Sequence, residues 1–221
     1  MPRKLLPIIA GVFTATLVIT NVLNNKLFVM FGFSFPAGII SFPLTFLFAD
    51  ALTEVYGYAE TRRVIWTGLI LQLFFAALVG VTILLPPAEF WPNQAAFATV
   101  LSQVPRIAIA SIIAYFAGEF CNSYVLARAK VGTNGKNMWL RFVTSTMAGQ
   151  AVDTLVFMTI AFVGVFPPSA MITLFISSWV FKVVWEIIAL PVSIPLVNRL
   201  KAVENLDHYD RETNFSPFRV S

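Results

Sequence analysis

Apolar residues fall in long runs along this chain, broken at intervals by short polar or charged segments. Neither the alternation of a half-buried strand nor the narrow stripe of a soluble amphipathic helix produces such runs. A run of about 20 residues is what a helix needs to cross the hydrocarbon core of a bilayer. Six helices are predicted, near residues 6–25, 38–58, 64–85, 106–127, 142–166 and 170–197. The first follows Arg3 and Lys4, as in a signal peptide, but lacks a small-residue cleavage site before Asn24, Asn25 and Lys26. It is read as a retained helix. The segments between the runs are short, the longest near 86–105 and 128–141, and none can bury a core of its own. The expected organisation is one six-helix transmembrane domain over residues 1–200 and a short polar cytoplasmic tail over 201–221.

Composition sharpens this picture. Of 221 residues, 58% are apolar and 12% charged, about half the charged share of a soluble domain. A soluble enzyme, a disordered chain and a nucleic-acid binder are excluded despite the net charge of +4. The single cysteine, Cys121, excludes an internal disulfide, and the single histidine, His208, lies in the tail. No metal site and no cofactor are expected. The fold class is all-α and polytopic, with the lipid bilayer as its solvent. Of the 15 Lys and Arg residues, twelve fall on one side of the predicted spans, among them Arg62, Lys130, Arg141 and Lys201. Only Lys26 and Arg106 fall on the other, and Lys182 lies inside the sixth span. The positive-inside rule puts the basic side, and with it both termini, in the cytoplasm. The basic residues are read as loop anchors, and Gly132–Asn137 as a turn, since it lacks the glycine spacing and the Ser/Thr of a phosphate loop.

The chemistry lies in ionisable residues within the apolar runs: Asp50 and Glu54 in the second, Glu119 in the fourth, Asp153 in the fifth, and Lys182 and Glu186 in the sixth. Each charge at mid-bilayer costs about 2.5–3.5 kcal/mol if it faces lipid unpaired. They must therefore face one another, water or a ligand. Helical spacing allows this: Ser111, Tyr115, Glu119, Asn122 and Ser123 share a stripe, as do Thr146, Gln150 and Asp153, and Ser178, Trp179, Lys182 and Glu186. Asn21 adds an amide from the first run, while the third offers only Gln72 and is read as lipid-facing scaffold. Asp50 and Glu54 repel at i,i+4 and call for an outside partner. Five acids against one lysine call for protons or a donor-rich ligand, and Glu119 and Asp153, with no cation at i±3 or i±4, are the candidates for proton coupling. Lys182 is expected to pair with a carboxylate of its own or a neighbouring helix. Trp179 can stack on a flat ring. Pro191 and Pro195 are expected to interrupt the end of the sixth helix.

These residues also carry a resemblance. Phe42, Pro43, Thr45 and Phe46, then Asp50, Thr53, Glu54, Tyr56 and Gly57, then Arg62, Trp66 and Gly68 resemble the queuosine precursor transporter family, also called the vitamin uptake transporter family. So do Gly118, Glu119, Asn122 and Ser123; Gly149, Gln150, Asp153 and Thr154; Asn21 and Lys26; and Lys182, Glu186 and Pro191. The resemblance covers about residues 10–200. It implies a bacterial inner-membrane importer of 7-deazaguanine precursors, 7-cyano-7-deazaguanine or 7-aminomethyl-7-deazaguanine, and a six-helix fold similar to the substrate-binding components of vitamin importers. The substrate-site candidates are then Asn21, Asp50, Glu54, Glu119, Asn122, Gln150, Asp153, Trp179, Lys182 and Glu186. The first expectation is a secondary transporter with a 7-deazapurine as its small-molecule partner, and assembly as a homodimer stays open. A substrate-capture subunit of an ATP-driven importer is the alternative. A membrane-embedded enzyme is disfavoured, because no aspartate-rich metal string, in-span histidine or serine–base pair is present.

Overall fold

The computed structural model describes residues 3–23, 26–30, 33–101, 105–162, 164 and 167–218. Helix α1 (Leu6–Leu23) leads into a small antiparallel hairpin of β1 (Leu27–Met30) and β2 (Phe33–Pro36), with Leu27 opposite Pro36. A 3₁₀ turn over Ala37–Ile40 precedes α2 (Phe42–Ala51), which tolerates Pro43 because it lies in the first turn. One wide π turn, Leu52–Tyr56, follows directly. Gly57, at φ 85°, then re-aims the chain into α3 (Tyr58–Leu84). A short α4 (Gln94–Leu101) lies in the predicted 86–105 connection, before α5 (Pro105–Gly132), α6 (Met138–Phe162) and α7 (Pro168–Glu204).

The expected helices are all present, with shifted ends. The connection between α5 and α6 shrinks to a tight turn in which Asn134, Gly135 and Asn137 take left-handed conformations. Lys130 and Arg141, expected in a loop, are therefore helical, and both are 1% exposed. Pro191 and Pro195 do not interrupt α7, which runs unbroken to Glu204. Each proline removes one rung of the helix, and neighbouring elements hold the flanking turns through buried Leu190, Val197 and Leu200.

Helices α5 and α6 pack most closely, because two glycines let their backbones meet. A Cβ on Gly118 would lie 2.7 Å from the Asp153 Cβ and 3.1 Å from the Gly149 carbonyl. A Cβ on Gly149 would lie 2.7 Å from the Asn122 Cβ. Small residues at such a crossing are how membrane helices gain contact without a hydrophobic driving force. Helix α7 packs on α6 and α2, and α1 on α2 and α3. Among the described residues, two helical segments, Tyr58–Leu84 and Phe175–Glu204, are long and apolar enough to cross a membrane. Their outer rows are large apolar side chains, Ile70, Leu73, Phe74 and Leu78 on α3 and Val184, Ile188 and Val192 on α7. Helix α3 is more than scaffold, since Arg62, Ile65, Leu69 and Gln72 are buried.

Candidate functional site

Two groups of buried polar side chains face each other along the bundle. The first is built on the α5–α6 crossing. Asn122 Nδ2 on α5 donates to Asp50 Oδ1 on α2 at 3.2 Å, and Thr53 Oγ1 donates to Ser123 Oγ at 3.2 Å. Glu119, Glu186 and Glu54 lie near enough to Asp50 to act on its charge, and Tyr115 and Asp153 stand in the same relation to Glu119. The layer is nearly closed to solvent: Asp50 is 1% exposed, Asn122 1%, Glu186 4%, Gln150 5% and Glu119 7%. It is also under-satisfied. Glu119 Oε2, Asn122 Oδ1, Gln150 Oε1, Thr146 Oγ1 and the Tyr115 hydroxyl have no hydrogen-bond partner among the described residues. The first three are acceptors, so the layer presents oxygens that want donors. An orphaned buried acceptor costs about 1–3 kcal/mol, which a ligand, proton or water can recover.

The second group is matched in charge, although Glu54 Oε2 and Arg141 Nε also have no hydrogen-bond partner among the described residues. Glu54, fully buried in the π turn, binds Arg141 Nη2 at 2.6 Å and Lys201 Nζ at 2.7 Å through Oε1, with Lys130 Nζ at 3.7 Å. Lys130 also donates to the Glu54 carbonyl, to Asp207 Oδ1 at 2.6 Å and to the His208 carbonyl at 2.6 Å. Lys201 lies 2.9 Å from Asp207. The cluster thus joins the π turn after α2 to α5, α6, α7 and the segment after α7. Burial pushes the Asp207 carboxyl up, but hydrogen bonds from Lys130 and Lys201 outweigh it and hold the group below its usual range.

This placement corrects part of the sequence reading. Asp50 and Glu54, four residues apart, take different partners: Asp50 meets Asn122, and Glu54, in the π turn, meets three cations. The partner Glu54 called for is internal. Lys182 does pair with a neighbouring helix, its Nζ 2.7 Å from Asp153 Oδ2, with Thr154 Oγ1 at 3.4 Å. Asp153 is therefore not a carboxylate without a cation. Trp179 donates its Nε1–H to the Met147 carbonyl at 2.9 Å and lies parallel to Phe175, which ties α7 to α6. The side chain of Asn21 lies outside the described residues. Sequence reasoning missed Lys130, Arg141, Lys201 and Asp207. The available signal was the concentration of basic residues at the helix ends on the side of Glu54.

These features coincide with a known family. The family model described as "Putative vitamin uptake transporter" matches residues 36–196, the span that contains the layer around Asp50 and, of the second group, Glu54, Lys130 and Arg141. The chain belongs to this family. A "Probable queuosine precursor transporter" of Bacillus subtilis (strain 168) is 30% identical over 175 residues, 79% of this chain and 76% of that protein. The "Queuosine precursor transporter" of Escherichia coli (strain K12) is 31% identical over 131 residues, 59% of this chain and 57% of its own length. A "Probable queuosine precursor transporter" of Haemophilus influenzae is 30% identical over 132 residues, 60% and 54% of the two chains. No solved structure matches the chain. Membership of the vitamin uptake transporter family, together with the two long apolar segments, makes this a helical membrane protein that serves transport.

Proposed function

We propose that this member of the vitamin uptake transporter family imports 7-deazaguanine precursors of queuosine across the bacterial inner membrane, and that it works as a secondary transporter rather than an enzyme. The observation that carries the reading is the buried layer of unpartnered oxygens on Glu119, Asn122 and Gln150 beside Asp50. A guanine-like edge offers an N–H and an amino group side by side, which one carboxylate accepts as a bidentate pair. Asn122 and Gln150 carry amide groups for the remaining edge of the ring. In this reading the six crossings are α1, α2 with its π turn, α3, α5, α6 and α7, with both termini at the basic, cytoplasmic end. Asp50, Glu119, Asn122, Gln150 and Glu186 contact substrate, whereas Glu54, Asp153, Lys182 and Trp179 hold the helices around it. Glu119 is the group that exchanges a proton during the cycle, since Lys182 already neutralises Asp153.

The test is uptake of labelled 7-cyano- and 7-aminomethyl-7-deazaguanine into cells that cannot synthesise them, with and without this chain. Import that depends on the chain, and falls at least tenfold in Glu119→Gln at equal folded protein, supports the reading. Equal label in both cell lines overturns it.

A further inference from the structure

The segment after α7 is built into the bundle, and its contacts converge on the helix ends around Glu54. The His208 amide donates to the Val55 carbonyl at 3.2 Å, and its ring lies over Gly57, where any Cβ would collide with it. Tyr209 covers Gly135 in the same way, with the Lys130 ammonium 4.7 Å from its ring centre. Asp210 accepts the first amide of α3, Tyr58 N, at 3.0 and 3.2 Å, so a residue 152 positions away caps that helix. Arg62 donates to the carbonyls of Asn214 and Ser216 at 2.8 and 2.7 Å, the Tyr58 hydroxyl to Phe215 at 3.0 Å, and Trp66 Nε1 to Pro217 at 2.8 Å. A tail that only trailed into solvent would make none of these contacts.

The attachment combines these polar anchors with ring contacts of Phe215 to Tyr58 and Tyr124 and of Phe218 to Trp66 and Phe116. Arg211, Glu212, Asn214, Ser216 and Phe218 are exposed. Residues 206–218 form no helix or strand, so the segment can lift by releasing these anchors without unwinding an element of the bundle. Its departure would also change the electrostatics beneath it. With the segment in place, Glu54 and Asp207 face Arg141, Lys201 and Lys130. Without it, Glu54 alone faces three cations, and the ends of α5, α6 and α7 that carry them repel one another in a poorly solvated setting. Asp50 lies four residues from Glu54, about 6 Å along a helix axis, so the cluster closes the bundle directly over the polar layer.

We propose that residues 206–218 form the gate at the basic end of this transporter: a strap that locks the Glu54 cluster when seated and must lift in each cycle to open a path to the layer around Asp50 and Asn122. The gate role rests on the transporter reading, but its test does not need transport. Ser123, fully buried beside Thr53, lies on α5 next to Asn122. A Cys121→Ser, Ser123→Cys protein has its one thiol there, and labelling by a small charged methanethiosulfonate in detergent reports opening. Asp207 is 43% exposed, so Asp207→Ala leaves folding intact while removing the strap's charged anchor. Labelling should rise about tenfold or more in Asp207→Ala, and similarly in Arg62→Met, which frees the other end of the strap. Circular dichroism checks that both variants fold. Unchanged labelling in two folded variants overturns the gate. Raised labelling with no deazaguanine uptake by any variant leaves the gate standing and overturns the cargo instead.

Discussion

Glu54 and Glu119 are both buried glutamates on helices of one small bundle, and they stand in opposite states. Glu54 Oε1 is held by Arg141 and Lys201 within 2.7 Å, with Lys130 behind them. Glu119 has no basic partner among the described residues; the Oε2 atoms of both glutamates lack a hydrogen-bond partner there, so the cations alone make the difference. A buried charge that is already matched holds elements together, and its removal leaves its partners stranded. A buried polar group left unmatched is tolerated only where something arrives to match it. Glu54 is therefore read as a clasp and Glu119 as a receptor, and mutation should separate the two.

The largest effect is expected at the clasp. Glu54→Gln leaves three cations around a neutral side chain and should cost about 3–5 kcal/mol, read as a fall in the thermal unfolding midpoint of the purified protein. Glu119→Gln should change stability by less than about 1 kcal/mol, within the range of a single hydrogen bond, while uptake falls at least tenfold. If the two variants lose stability equally, the contrast fails.

The crossing that positions the receptor layer comes next. Gly149→Ala places a methyl 2.7 Å from the Asn122 Cβ and 3.0 Å from the Gly118 carbonyl, and both are rigid neighbours. Overpacking of this kind should cost about 1–3 kcal/mol and displace Asn122 from Asp50, so uptake should fall together with stability.

A smaller effect sharpens the assignment of Lys182. Lys182→Met strands Asp153, and the added change Asp153→Asn should recover about 1 kcal/mol in a double-mutant cycle. Glu186→Gln added to Lys182→Met should recover nothing. Coupling to Glu186 instead would move the ion pair out of the α6–α7 interface.

The smallest effect is the pH dependence of the strap. The Asp207 carboxyl is held below its ordinary value in the folded chain. Its contribution is fully present above about pH 4, the unfolded value, and is lost as pH falls through the lower folded value. Hydrogen exchange at the His208 amide, corrected for intrinsic rate, should stay slow from pH 7 to about pH 4 and quicken below. Asp207→Asn should remove that acid transition.

The sequence by itself determined the helices, because about 20 apolar residues in succession leave the backbone no partner in lipid but itself. It also marked the residues whose burial would need a partner, because a carboxylate among leucines and phenylalanines is costly wherever it points. That is why Asp50, Glu119, Asn122 and Gln150 stand out in the sequence, and why Lys182 was expected to find a carboxylate on its own or a neighbouring helix. It could not say which partner each would take. Partner choice at Glu54 depends on a π turn, a local backbone widening with no mark in the hydrophobic pattern, and on cations up to 147 residues away that converge only when α5, α6 and α7 end together. The strap was illegible for the same reason. Its residues are polar and lack periodicity, as a solvated tail would be, and only the tertiary structure brings Asp210 to the bare amide of Tyr58 and His208 to the notch that Gly57 leaves. Periodicity reports what a segment buries along its own axis, whereas caps, notches and ion clusters are made between segments distant in sequence.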